Sequence, residues 1–477
     1  MRSDLINDGN LDEIIERVGE ALRQWHAEPQ APSSLGDLLL YRQTAAALAE
    51  RQIILSPRLV SNRLLLDALA ELGSHNSQFE VLLRQRFLDR VPARAVAGRL
   101  HLSERTFYHR QTQAIRELAQ IIFQKEQTAR HDQARAIEVR LPPPTFSRIF
   151  GVTEKQADLK RALLDEDRFW LIVIEGLGGI GKTSLALSTL LEVMWTTRFH
   201  DIAWVSAHQH LFDPWGEVQV AAPPALTLER LAEEVGEQLG WLHLLVLPPP
   251  EQWTRLVDQL KRQPYLIVID NLETAADYAA LVPHLKSAAK PSKFLLTSRH
   301  GPRPHHGFYH LRLDELNQAD ALALIRYEAE ERGIQALAAA PPEALAHIYE
   351  VVGGNPLALK LVIGQVYTTS LSEVLAGLQW ASGKKAEELY AFIYRRAWDL
   401  LDEDARLAWL MMPLVARQGG TLQQLQAASG LVARRARAAL ERLVRLCLVD
   451  AGGRLEARRY SIHRLTETFL LSEVAKW

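Results

Sequence analysis

The sequence is short of cysteine: one thiol, Cys447, stands among 477 residues. A lone cysteine excludes an intrachain disulfide and a cysteine-based zinc site within one chain, and it fits a reducing, cytoplasmic compartment. Long apolar runs are lacking too. None approaches the roughly 18 residues a membrane helix needs, and the opening Met-Arg-Ser-Asp-Leu-Ile-Asn-Asp is too acidic and polar for a secretion signal. Neither sign of charge dominates: 55 Lys+Arg face 57 Asp+Glu, a formal net charge of -2. That excludes a globally basic nucleic-acid coat but leaves room for a local basic face. No internal repeat of about 20–50 residues is legible.

What is present is material for several cores. Hydrophobic residues make up 48% and charged residues 23%, and the length suits roughly three domains at about 150 residues each. The expected fold class is multidomain α and α/β. Residues 1–125 read as an all-α domain, with apolar residues every three or four positions, as in Leu11, Ile14, Ile15, Val18, Ala21 and Leu22. Residues 126–145 read as a linker, polar, charged and helical at first, then stiffened by Pro142, Pro143 and Pro144. From 146 to 313 short apolar runs alternate with helical stretches: Phe169–Ile174, Ile202–Val205, Tyr265–Ile269, Lys293–Thr297 and Phe308–Leu313. This predicts a parallel sheet with helices on both faces. Pro248–Pro250 reads as a loop within it. Residues 314–385 read as a helical domain, with Gly383 near its end. Residues 386–477 offer helical patterns at 404–415, 421–429 and 432–446, then strands Leu448–Ala451 and Arg459–Ile462 around a turn with Gly452 and Gly453. Three helices and a hairpin are the outline of a winged helix.

The strongest motif is Gly176-Leu-Gly178-Gly179-Ile-Gly181-Lys182-Thr183, followed by Ser184. It fits Gly-x-x-x-x-Gly-Lys-Ser/Thr between an apolar strand and a helix, the context in which it binds phosphate. Glycines let successive N–H groups curl toward phosphate oxygens, and the helix N-terminus adds partial positive charge. Lys182 supplies a point charge for the β- and γ-phosphates, and the Thr183 hydroxyl a magnesium ligand. About 85 residues on, Tyr265–Asp270 is a buried strand ending in a carboxylate, a second oxygen ligand for magnesium. Lys293–Arg299 ends Thr297-Ser298-Arg299, which brings Arg299 beside the phosphates if its strand lies between the other two.

With these motifs on the page, residues 146–477 resemble the NB-ARC-type, or STAND, switch ATPases. Gly176–Thr183 looks like the family's Walker A motif, Leu266–Asp270 like its Walker B, and Thr297–Arg299 like its sensor. Gly353-Gly354-Asn355-Pro356-Leu357-Ala358-Leu359 is similar to its Gly-Leu-Pro-Leu-Ala motif, which implies that Pro356 packs near adenine. Ile462-His463-Arg464 resembles its Met-His-Asp signature, which implies that His463 touches the β-phosphate of ADP and holds a closed state. Phe150 and Gly151 match the segment whose backbone contacts adenine, without the family's arginine. Asn271 stands where a second acid is usual and cannot take a proton, so Glu273 is the substitute base and hydrolysis is expected to be slow. Sensor repeats, usual in the family after the winged helix, are not legible here. The implied cofactors are ATP/ADP and magnesium, and the implied behaviour is a switch that self-associates when ATP-bound.

Residues 79–122 read helix, helix, turn, helix: Phe79–Phe87, Pro92–Leu100, and Glu104–Ile122 capped by Ser103. Val96–Tyr108 resembles the helix-turn-helix of region four of bacterial sigma factors. From Gln78 to Lys125 there are nine Lys/Arg and four Asp/Glu, a local net of +5. Arg105, Thr106, Tyr108, His109 and Arg110 stand where a recognition helix meets base edges of double-stranded DNA. Two other clusters favour plainer readings. His300, His305, His306 and His310 lie in a glycine- and proline-rich loop without acids at ligand spacing. The arginines of 432–446 suit a solvated or interdomain face better than DNA.

The leading expectation is therefore a nucleotide-regulated DNA-binding transcription regulator. The alternative is a defence or signalling switch whose N-terminal helices recruit a protein effector and bind no DNA. A plain ATP-hydrolysing motor is disfavoured by Asn271. Sensing falls to residues 1–75, to the winged helix or to a separate sensor protein.

Overall fold

The structure is a computed structural model and describes residues 11–196, 198–207, 226–272, 275–299, 307–379, 386–416, 419–454 and 457–471. The chain forms two compact units. One runs to Glu138 and includes a short stretch from Met194; the other comprises Val139–Val193 and the chain from Arg198 onward.

The first unit is helical. Helix Leu11–Arg23 buries Ile14, Val18, Ala21 and Leu22 of the predicted apolar stripe and leaves Leu11 and Ile15 half-buried. Helix Pro57–His75 opens with proline at its first turn and is capped by Ser56, whose Oγ accepts from Leu59 N at 3.2 Å. Helix Leu39–Glu50 has no side-chain cap of its own. Glu126, distant in sequence and 4% exposed, fills that place by accepting from Leu39 N and Leu40 N at 2.9 and 3.0 Å. A carboxylate at a helix N-terminus meets unsatisfied N–H donors and the positive end of the dipole. Glu126 lies on a 37-residue helix, Glu104–Arg140, so the helix expected to end at Ile122 continues 18 residues further. Buried Ala134 and Ile137 give its distal half an apolar face of its own.

The second unit begins with five strands: β1 Leu171–Glu175, β2 Asp201–Ser206, β3 Tyr265–Asp270, β4 Lys293–Ser298 and β5 Phe308–Arg312. They form one parallel sheet in the order β2-β3-β4-β1-β5. Every residue of β3 and β4 is buried, which explains why their sequences lack polar alternation. The order places β4 between β1 and β3, the condition set for Arg299 above. Helices Lys182–Val193, Leu228–Gln238, Pro249–Arg262 and Ala275–Ala288 connect the strands.

Beyond the sheet, the helices from Gln318–Glu331 to Ala433–Arg445 share one apolar core, in which Trp409, Tyr394 and Phe469 pack together. Helices Glu403–Val415, Leu422–Ser429 and Ala433–Arg445 precede β6 Asp450–Arg454 and β7 Ala457–Ser461, an antiparallel pair, and helix Arg464–Phe469 follows. Among the described residues, no helix is long and apolar enough to cross a membrane.

Two proline and glycine readings are corrected. Pro248–Pro250 is no loop: Pro249 and Pro250 open helix Pro249–Arg262, where the missing N–H groups cost nothing because the first-turn donors have no helical acceptor. Gly452 and Gly453 are no turn: both lie inside β6, opposite Arg459 and Arg458. A Cβ on Gly452 would stand 2.7 Å from Pro144 O, so the glycine admits the proline-rich segment against the strand.

Candidate functional site

The site grows from the end of β1. The chain leaves the strand at Glu175, turns through Gly176–Gly181 and enters helix Lys182–Val193. Gly179 and Gly181 hold positive φ of 76° and 100°, which L side chains rarely adopt. A Cβ on Gly181 would meet nothing within 4 Å, so no other group crowds the turn at that residue. Lys182, 7% exposed, folds back to donate from Nζ to Gly176 O and Leu177 O, both at 2.9 Å. Thr183 and Ser184 occupy the first turn of the helix.

Asp270, 4% exposed, ends β3 beside this helix. Its Oδ1 accepts from Thr183 Oγ1 at 2.9 Å and from Thr297 Oγ1 at 2.5 Å, and its Oδ2 accepts from Asn271 Nδ2 at 3.0 Å. Asn271 takes φ of 64°, a left-handed turn that asparagine tolerates better than most residues, and its N–H donates to Thr297 Oγ1. Thr297 therefore joins the strand-end Asp to the β4 motif. Arg299 leaves β4 toward the glycine turn, with Nε 3.6 Å from the place a Cβ on Gly178 would take. The structure thus gathers Gly176–Ser184, Asp270 and Arg299 at the C-terminal edge of adjacent parallel strands, where open α/β sheets bind ligands. Glu273 lies outside the described residues, as do His300, His305 and His306. His310 is on β5 and contacts Glu175 Oε1 at 2.5 Å; among the described residues no group of three His, Cys, Asp or Glu side chains could hold a metal ion.

The helical segment closes over the turn from the other side. Asn355 caps helix Pro356–Val366 with Oδ1 and donates from Nδ2 to Gly178 O at 2.9 Å. Leu357 N donates to Gly179 O at 3.3 Å. Pro356 sits at the first position of that helix, between these contacts. Phe150 packs on Tyr327, ring centroids 5.5 Å apart, with the Arg148 guanidinium 4.9 Å from its ring. Gly151, at φ 66°, and Gly354 both lie against Leu316, which donates its N–H to Gly354 O. The segments of Phe150–Gly151 and Gly354–Pro356 are thereby neighbours. His463 caps helix Arg464–Phe469, its Nδ1 accepting from Leu465 N at 3.1 Å. Leu465 carries that helix to the glycine turn: its Cδ1 is 3.3 Å from the place of a Cβ on Gly178.

Sequence reasoning missed Tyr390. Its hydroxyl donates to Gly178 O at 3.5 Å, and the side chain is buried. Burial, with Tyr394 and Glu315 nearby, holds the phenol well above its ordinary range, against the opposing pull of Asn355 and Arg299. It belongs to no motif, and only the tertiary fold brings it here.

In the first unit, Arg105, Thr106, Tyr108 and His109 are exposed around the buried Phe107, and Arg110 is half-buried, reaching Gln78 Oε1 at 3.5 Å. Ser103 caps this helix as expected, accepting from Thr106 N at 3.2 Å, and His101 at φ 52° makes the preceding turn. Of the C-terminal arginines, Arg435 pairs with Asp404, Arg442 with Asp402, and Arg445 donates to Tyr367 OH at 2.7 Å.

The NB-ARC domain family matches residues 152–328. Transcription activator GutR of Bacillus subtilis is 22% identical over 347 residues, 68% of this chain and 40% of that protein. A probable disease resistance RPP8-like protein of Arabidopsis thaliana is 26% identical over 245 residues, 48% of this chain and 24% of that one. The chain spans less than half the length of these curated relatives. A STAND protein with a tetratricopeptide repeat sensor from Pyrococcus horikoshii aligns with TM-score 0.46 and 18% identity, over 70% of this chain and 44% of that one. The matched stretch, residues 152–328, takes in the glycine turn, Asp270 and Arg299.

Proposed function

We propose that this chain is an ATP/ADP-dependent switch whose N-terminal helices bind double-stranded DNA, so that nucleotide state regulates transcription. The observation that carries the switch is the convergence on one glycine turn of Lys182, Arg299, Asn355 and Leu465, from both sides of the second unit. The residues fit a nucleotide. The turn is uncrowded at Gly181, it is followed by a helix N-terminus, and a lysine lies along it. The Thr183 hydroxyl and Asp270 carboxylate are oxygen donors of the kind magnesium takes. Magnesium, when bound, would neutralise phosphate charge. Phe150, Gly151 and Pro356 would face the base, and His463 would hold the C-terminal helix near the β-phosphate. Asn271 in place of a second acid supports slow turnover, as suits a switch more than a motor.

DNA binding draws on the exposed Arg105, Thr106, Tyr108 and His109 at the start of the third helix, anchored beneath by buried Phe107. Arg to guanine is the commonest base contact. The relation to a transcription activator supports this output. A second reading keeps the switch but gives the N-terminal helices a protein effector. The apolar loop Ile53–Leu55 favours it, with Ile54 93% exposed.

The test is affinity sequencing of genomic fragments with ATP and with ADP, using wild type and Arg105→Ala/Arg110→Ala. Enrichment of one sequence motif by wild type in one nucleotide state, lost in the double variant, is expected. No enrichment in either state would transfer the output to the protein-effector reading.

A further inference from the structure

Gly178 O is held from two directions. Asn355 Nδ2 donates to it at 2.9 Å, and the Tyr390 hydroxyl donates to it at 3.5 Å. In a trans peptide the carbonyl and the next N–H point in opposite directions. Fixing Gly178 O therefore fixes the direction of the Gly179 N–H, one of the donors a phosphate in this turn would use. Arg299 lies near enough to act on the Tyr390 phenol. The hydroxyl thus sits among the glycine turn, the strand-end arginine and the helix cap.

The other end of this tyrosine leads away from the turn. Tyr390 lies on helix Ala386–Asp399 and stacks on Tyr394, one turn later, with ring planes 27° apart. The Tyr394 hydroxyl accepts from Thr466 Oγ1 at 2.9 Å, and its ring stacks on Phe469 at 5.2 Å. Thr466 and Phe469 are on helix Arg464–Phe469, the helix capped by His463. This helix therefore touches the glycine turn by two routes. Leu465 reaches Gly178 directly, and Thr466 reaches the same residue through Tyr394 and Tyr390. All three side chains in the second route are buried, which leaves little freedom to move one without the next.

We propose that Tyr390 is a positioning residue that reads the nucleotide state at Gly178 and passes it through Tyr394 and Thr466 to helix Arg464–Phe469. This rests on the reading of Gly176–Thr183 as the nucleotide turn. A contact that exists in one state only shifts the equilibrium by its differential free energy, so losing the link should alter the preference between ADP and ATP rather than lower both affinities alike.

The experiment uses the full chain and fluorescent ADP and ATP analogues, with dissociation rates and affinities measured for wild type, Lys182→Ala, Tyr390→Phe and Thr466→Val. Tyr390→Phe keeps the ring and its stacking and removes the hydroxyl. Thr466→Val breaks the link far from the turn. Both are expected to speed ADP release about three- to tenfold, the worth of one ordinary hydrogen bond, and to change the ADP/ATP affinity ratio. The double variant is expected to release ADP no faster than either single one, because both cut the same link. Equal weakening of ADP and ATP by Tyr390→Phe, or wild-type behaviour of Thr466→Val, would overturn the proposal while leaving the nucleotide turn standing. Absence of binding by wild type, or full retention by Lys182→Ala, would overturn the reading of the turn itself.

Discussion

Replacing Gly364 with alanine should loosen the second unit at one identifiable place. Gly364 lies in helix Pro356–Val366, where its backbone is helical and alanine carries no conformational strain. An added Cβ, however, would stand 2.5 Å from the carbonyl carbon of Leu446 and 2.9 Å from its Cα. Carbon atoms at rest approach to about 3.5–4.0 Å, so one backbone must retreat by roughly 1 Å. Leu446 cannot retreat alone. It is 1% exposed and ends helix Ala433–Arg445, with its N–H donated back to Arg442 O and Val444 O. The helix must move with it, away from the helix that Asn355 ties to the glycine turn. Overpacking of this kind costs about 1–3 kcal/mol. Alanine in a helix returns about 0.5–1 kcal/mol relative to glycine. The net expectation is destabilisation by about 1 kcal/mol, a fall of roughly 2–4 °C in the melting temperature of a domain of this class. Differential scanning calorimetry would measure it on the intact chain. A variant that melts at or above wild type would refute the reasoning, because it would mean that the two helices separate without cost.

The same substitution should have the opposite sign in the first unit: a Cβ on Gly98, in helix Ala93–Arg99, meets nothing within 4 Å. Gly98→Ala should therefore stabilise that unit by about 0.5–1 kcal/mol, read as a raised midpoint in urea with unchanged slope. A pH dependence is expected from Lys293, wholly buried with Nζ donating to Ala162 O and Arg168 O at 2.7 and 2.9 Å. Burial and the Arg198 guanidinium hold its amine down at about 8, against 10.5 for a free lysine. Between those values the unfolded chain binds more protons, so this group adds stability as pH rises from 8 toward 10. Tyr265, held up at about 12, works against stability only above pH 10. Melting temperatures at pH 8, 9 and 10 should carry the Lys293 contribution, and Lys293→Met should flatten the profile over that interval.

Much of this protein was legible because its signals are local. The glycine turn needs φ values that only certain residues adopt, so Gly179 and Gly181 announce it in the sequence. Strands β3 and β4 are buried on both faces, which fixes their composition and makes Asp270 and Thr297–Arg299 conspicuous at their ends. The third N-terminal helix declares its start at Ser103, because capping is decided within one turn.

What the tertiary structure alone decided is of another kind. Glu126 caps a helix 86 residues away in sequence from Leu40, and nothing local marks a buried carboxylate as a cap. Gly452 and Gly453 looked like a turn, because glycine serves equally for a turn and for a close backbone approach, and only the position of Pro144 distinguishes the two. Tyr390 stands 212 residues from Gly178 in an ordinary amphipathic helix. Its sequence neighbourhood specifies that its ring is buried. Which carbonyl its hydroxyl meets depends on how the helical segment packs on the sheet, and that is a property of the assembled core.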